Sequence, residues 1–160
     1  MTLNDLTVNF RTLKREDVLS AWVWLIGAHR LPVLVTAAGD AFVQDAATGE
    51  VFFLDTAGPE LVDIASSVAE FEKLLRDAEF VTEFFDPVKI QHLQKKGLKL
   101  GPLQVYSYKK ALVLGGKNEL SNIEVSDLSV HFSLLGQIQE KVSKLPEGTP
   151  VGNINLSGAG

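Results

Sequence analysis

From Leu31 to Ser66 the apolar runs of this chain are cut at short, even intervals by Gly39-Asp40, Thr48-Gly49 and Gly58-Pro59. Runs of that length between turn residues predict four antiparallel strands that reverse on one another. Glycine at a reversal can adopt the positive φ of a tight hairpin turn, and Pro59 fixes φ where the last strand begins. The third run, Glu50 to Asp55, is apolar on both faces, with Val51 and Phe53 on one and Phe52 and Leu54 on the other. That pattern predicts a central strand with cover on each side.

The flanks read as helices. Val18, Leu19, Trp22, Leu25 and Ile26 share one face of a predicted helix over Arg15 to Ile26, and Trp24 points off that face, where it is either covered by a second layer or an interface anchor. Ser66 or Ser67 caps a helix reaching about Asp77, with Val68, Phe71, Leu74 and Leu75 as its buried stripe. A further helical stretch, Glu79 to Phe85, ends at Asp86-Pro87, an N-cap with proline at the first helical position, and the helix it opens stops at Gly97. Leu103 to Leu114 reads as a strand or a pair of strands, Gly115 to Asn118 as a turn, and Asn122 to Val125 as a short strand. Asp127 caps a closing helix whose stripe of Leu128, His131, Leu135, Ile138, Val142 and Leu145 could support a homodimer if it is wider than one partner covers.

The expected architecture is α+β: a central, mostly antiparallel sheet, an N-terminal β-meander, flanked by about four helices. At 160 residues, 46% of them hydrophobic, the chain fits a single domain over 1–160, with 1–13 as a lead-in arm and 150–160 as a flexible tail. No apolar run approaches the roughly 18 residues of a membrane span, and the N-terminus lacks the order of a signal peptide, so the expected compartment is the cytoplasm. Zero cysteines exclude disulfides, thiolate metal sites and thiol catalysis.

Charge divides along the chain. From Asp40 to Asp86 twelve acids face two bases, a balance of −10, whereas Pro87 to Lys117 carries seven lysines and no acid. Asp40, Asp45, Glu50, Asp55 and Glu60 fall at strand ends and form a candidate acidic rim for partner binding, together with Trp24. Turn chemistry also explains aspartates there, because their side chains bond nearby backbone N–H groups. Tyr106 and Tyr108 share a strand face next to Lys109 and Lys110, an alternative surface for stacking nucleic-acid bases. The net charge of −5 argues against that alternative.

No catalytic constellation emerges. The three histidines are isolated and no metal is expected; His131, on an apolar stripe, reads as a hydrogen-bonded histidine at the core edge. Ser66 and Ser67 lack the glycines of a nucleophile elbow, and Gly115-Gly116-Lys117 lacks the P-loop spacing. The reading is a non-enzyme without a cofactor, with a ligand- or nucleic-acid-binding regulatory module as the alternative to a protein-binding role.

Three blocks carry a family likeness: GDAFVQDAATGEVFFLDTAGPELVDIASSVAEFEKLL from Gly39, GLKLGPLQVYSYKKALVLGG from Gly97, and NIEVSDLSVHFSLLGQIQEKVSKLPEGT from Asn122. In this order, over Trp22 to Thr149, the chain resembles the C-terminal domain family of type VI secretion DNase immunity proteins, otherwise labelled a domain of unknown function. The resemblance implies a protein that binds and neutralises a cognate secreted toxin, a nuclease, without catalysis. Longer immunity proteins carry an additional N-terminal domain for which 160 residues leave no room. The resemblance assigns no toxin contact to any residue.

Overall fold

The structure, a computed structural model, describes residues 1–146 and 148. The expected tail, 150–160, lies outside the described residues. A two-residue strand, β1 (Thr7–Val8), precedes the meander β2 (Arg30–Thr36), β3 (Ala41–Asp45), β4 (Val51–Asp55) and β5 (Glu60–Ala65). All pair antiparallel in the order β1-β2-β3-β4-β5. The four expected strands are present. The lead-in is more than an arm, because Thr7 and Val8 pair with Thr36 and Val35, and the Leu6 carbonyl accepts from the Ala37 N–H. The middle of the sheet is β3, not β4. Both faces of β4 are nonetheless covered, with Val51, Phe53 and Leu54 buried and Phe52 partly so.

Two cores lie on opposite faces of this sheet. One gathers Val35, Ala41, Val43 and Leu54 against the N-terminal helices and the closing helix; the other gathers Phe42, Val51, Phe53 and Ala65 against α3 (Val68–Leu74), α4 (Ala78–Phe85) and α5 (Pro87–Lys95). Phe42 is the hub of the second core, with its ring centroid 4.7 Å from Phe71 and 5.5 Å from Phe85. The caps form as expected: Ser67 Oγ accepts from the Glu70 N–H, and Asp86 caps α5 from a left-handed conformation with Pro87 following.

The helix expected over Arg15 to Ile26 is broken into α1 (Arg15–Leu19), a 3-10 turn (Ser20–Trp22) and α2 (Val23–Ile26). Its cause is tertiary. The turn crosses the closing helix α6 (Leu128–Ser143) so closely that Trp22, fully buried, donates its indole N–H to the Phe132 carbonyl at 2.9 Å. Gly136 permits the approach: a Cβ there would stand 2.6 Å from the Ala21 carbonyl oxygen. Alanine gains about 1 kcal/mol of helix propensity over glycine, but forcing backbone apart at a packed crossing costs ~1–3 kcal/mol or more. Gly136→Ala is therefore expected to destabilise the protein by about 1–2 kcal/mol, read as a lower urea midpoint; a raised midpoint would show that the crossing has slack.

After α5 the chain forms the hairpin β6 (Gln104–Tyr108) and β7 (Ile123–Asp127). It docks on the end of the meander through the Tyr106 N–H, which donates to the Ala37 carbonyl. Leu112–Leu114, read as strand from its apolar run, is a 3-10 turn instead. The Leu114, Gly115 and Gly116 N–H groups close back onto Ala111 and Leu112, which uses the backbone a strand would need. The α+β expectation is borne out.

Candidate functional site

A meander places alternate turns at opposite ends of its sheet. Asp40, in the β2–β3 turn, and Asp55 and Glu60, flanking the β4–β5 turn, lie at one end; Asp45 and Glu50, flanking the β3–β4 turn, lie at the other, roughly 16 Å along the strand at about 3.3 Å per residue. The five carboxylates do not form one rim. Asp45 serves its own turn by accepting from Ala47 and Thr48 N–H, and it pairs with Arg30 at 3.8 Å. The Thr48 and Ala47 amides hold its carboxyl below the usual carboxylate range.

At the first end the hairpin, α4, α5 and α6 close over the sheet and leave a cavity of about 300 Å³. Asp40 and Asp55 line it together, joined by Glu83 and Asp86 from the α4–α5 segment, whose exposure places them at the mouth. The acidic and lysine-rich stretches of the sequence meet here. Lys89 also lines the cavity, and its ammonium donates to Tyr108 Oη at 2.9 Å, which in turn donates to Asn118 Oδ1.

Beneath these groups lies a buried polar layer. His131 Nε2 sits 2.7 Å from the Gly39 carbonyl and Nδ1 2.7 Å from Ser107 Oγ. A carbonyl only accepts, so Nε2 carries the proton and Nδ1 accepts from the serine hydroxyl. The ring is a neutral, fully satisfied link between α6, the β2–β3 turn and β6, and burial pushes its pKa down to about 4. Asp40 Oδ1 accepts from the Thr56 N–H at 2.9 Å and lies 3.0 Å from Thr56 Oγ1. Asp40 keeps part of its surface on the cavity, yet the protein displaces most of its water. Burial pushes its carboxyl up to about 7, with Asp55 raising it further and Thr56 and Lys89 opposing.

Gln139 completes the wall. Its Nε2 lies 3.1 Å from the Thr56 carbonyl and 3.3 Å from that of Ala57, two acceptors that fix which end of the amide is nitrogen. Its side-chain oxygen is buried and no donor among the described residues reaches it. A glutamine on the apolar stripe of α6 was the available signal for this position, since it falls two turns after His131. Lys89 carried no comparable mark.

The other sequence candidates lie elsewhere. Trp24 is half-buried and stacked on Trp22 with centroids 5.9 Å apart, packed on the first core. Tyr106 is only 3% exposed and its hydroxyl donates to the Leu98 carbonyl, so it presents no ring face to a base. Tyr108 is half-buried in the Lys89 network, and Lys109 and Lys110 are exposed beyond the strand. A larger groove of about 770 Å³ runs between the lead-in and the loop before β6, but it gathers mainly turn and surface groups such as Asp5 and Arg11. Among the described residues no cluster of three or more His, Asp or Glu could hold a metal, and no helix is long and apolar enough to cross a membrane.

Much of the cavity wall, from Glu83 to Gln139, falls within one stretch that has known relatives. Residues 65–139 match the family described as T6SS immunity protein Tdi1, C-terminal. The family resemblance drawn from the sequence is borne out over this stretch. No curated protein matches the chain. Among solved structures, the crystal structure of Atu4351 from Agrobacterium tumefaciens is similar with a TM-score of 0.54 at 14% identity, over 77% of this chain. The chain spans 64% of that protein's length, and at this identity the likeness is one of fold. The Tdi1 C-terminal match and the meander thus divide the cavity between them: the meander supplies Asp40 and Asp55 with Phe53 and the Thr56 turn, and the matched stretch supplies the walls from Glu83 to Gln139.

Proposed function

We propose that this protein binds a cognate secreted toxin, a nuclease, in the cytoplasm of the producing cell and blocks it stoichiometrically, without catalysis. The observation that carries this reading is the Tdi1 C-terminal match across the segment that walls the cavity. Electrostatics support it. A nuclease must present basic groups to phosphate, and an acidic face is complementary to such a surface and speeds encounter with it. The cavity mouth is such a face, with Asp55, Glu83 and Asp86 gathered around it.

Tagged protein expressed with its neighbouring open reading frames should retain an equimolar partner that is toxic when expressed alone and whose DNase activity falls to zero at a one-to-one ratio. Glu83→Lys, an exposed change on α4, should slow association about tenfold and flatten its salt dependence, whereas Glu16→Lys on α1 should not. Absence of a toxic partner would overturn the immunity reading. Equal effects of the two reversals would overturn the assignment of this face.

A further inference from the structure

The cavity carries hydrogen-bond acceptors that the fold leaves unused. Asp40 and Asp55 each spend one oxygen on the fold: Oδ1 of Asp40 on Thr56, Oδ1 of Asp55 on the Ala57 and Gly58 N–H groups at 3.0 Å. Among the described residues no donor reaches the second oxygen of either carboxylate. Gln139, which is 1% exposed and lines the same cavity, has a buried oxygen equally without a donor. Buried acceptors in native proteins are paired as a rule, so an orphan beside two half-used carboxylates calls for an explanation. Lys89, the one Lys or Arg lining the cavity among the described residues, does not provide it, because it is held by Tyr108. The neutral tautomer of His131 already gives its one proton to Gly39.

The walls narrow the choice of donor. Phe53 and Phe84 line the cavity, with centroids 5.0 Å apart and rings tilted edge to face. Aromatic faces beside carboxylates suit a planar cation that stacks and donates in a fork, which is the chemistry of guanidinium and not of ammonium. At about 300 Å³ the space is at the small end for a drug-sized ligand and ample for one side chain. Arginine is also among the residues that carry most binding energy at protein interfaces.

We propose that this cavity is a socket for an arginine side chain of the toxin, its guanidinium set between Asp40 and Asp55 against Phe84. The proposal rests on the immunity reading for the identity of its occupant. The charges facing the socket are Asp40, Asp55, Glu83 and Asp86 against Lys89, so an entering cation meets a net negative field. Bringing that cation to Asp40 favours its ionised form, and binding near neutral pH releases a proton.

The socket is testable apart from the toxin, with the full chain and N-acetyl-argininamide as the probe. Weak saturable binding is expected, with shifts of the Gln139 side-chain amide resonances in the NMR spectrum. The uncharged probe N-acetyl-glutaminamide should produce none. Asp40→Asn combined with Asp55→Asn retains Oδ1 for Thr56 and for the turn, and should weaken probe binding about tenfold or more. In the toxin complex the same pair should raise Kd by a similar factor and abolish proton release measured calorimetrically in two buffers. No shift at Gln139, or equal binding of both probes, overturns the socket. Probe binding with a toxin affinity indifferent to the double substitution overturns the arginine of the toxin as its occupant. Failure of the wild-type protein to bind any toxin, with the probe still bound, overturns the immunity reading and that occupant together.

Discussion

Replacing Gly39 with alanine is expected to destabilise the protein by about 3–5 kcal/mol, a large part of the ~5–15 kcal/mol that holds a domain folded. Three costs meet at this position. Gly39 sits at φ +90, where a residue with a Cβ is strained by roughly 1–2 kcal/mol. That Cβ would stand 2.4 Å from Nε2 of His131, a ring fixed at both nitrogens and unable to swing away. Moving the ring breaks its bond to the Gly39 carbonyl and strands a buried donor, at about 1–3 kcal/mol. These costs overlap, since one displacement incurs the last two. Urea unfolding at pH 8 measures the sum, and the combination with His131→Ala separates its parts: removing the ring relieves the clash but not the strained φ. A Gly39→Ala variant within about 1 kcal/mol of the parent, or a double variant whose losses simply add, would refute the close packing of this turn beneath α6.

The same turn shows what a sequence discloses. Glycines spaced through apolar runs announced the meander, because they interrupt a period-two pattern at the intervals a hairpin needs, and Ser67, Asp86 and Asp127 announced helix starts by local capping chemistry. Such signals are local. What eluded the sequence is decided by distant contacts: the Trp22 bond to Phe132 that breaks the first helix, and the Ala37 carbonyl that captures β6. β1, with two residues, is too short to display an alternation at all. The division of the acidic residues was legible in principle, since alternate turns of a meander face opposite ways, and treating all five as one rim overlooked that geometry. Convergence of Asp40, Lys89 and the α6 pair His131 and Gln139 from three segments was not legible, because no spacing relates the segments.

The buried pair Asp40 and His131 is expected to give the wild-type protein an unusually flat pH profile that either substitution would unmask. Asp40 is raised from 3.8 to about 7, so its protonated form is favoured in the folded state. The stability it contributes is complete below pH 3.8 and is lost as pH rises through about 7. His131 is depressed from 6.5 to about 4, so it favours folding in its neutral form; that stability is complete above 6.5 and is lost as pH falls through about 4. Across pH 4 to 6.5 the two slopes, each about 1.4 kcal/mol per pH unit, oppose and largely cancel. Asp40→Asn leaves His131 alone, and stability should fall by about 3 kcal/mol between pH 6.5 and 4. His131→Gln leaves Asp40 alone and should reverse the slope. Carboxylates such as Asp45 and Glu70, held low by hydrogen bonds, add a common loss at the acid end that cancels between variants. Denaturant unfolding at several pH values reads these differences directly, and an Asp40→Asn profile parallel to wild type would refute the pairing. At pH 8 the same variant should be more stable by about 2 kcal/mol, a figure reduced from the full shift because Asp40 borders a cavity that water can enter. A residue whose removal stabilises the fold and weakens toxin binding is held for its partner's sake, which is the trade expected at a binding site and not at a structural one.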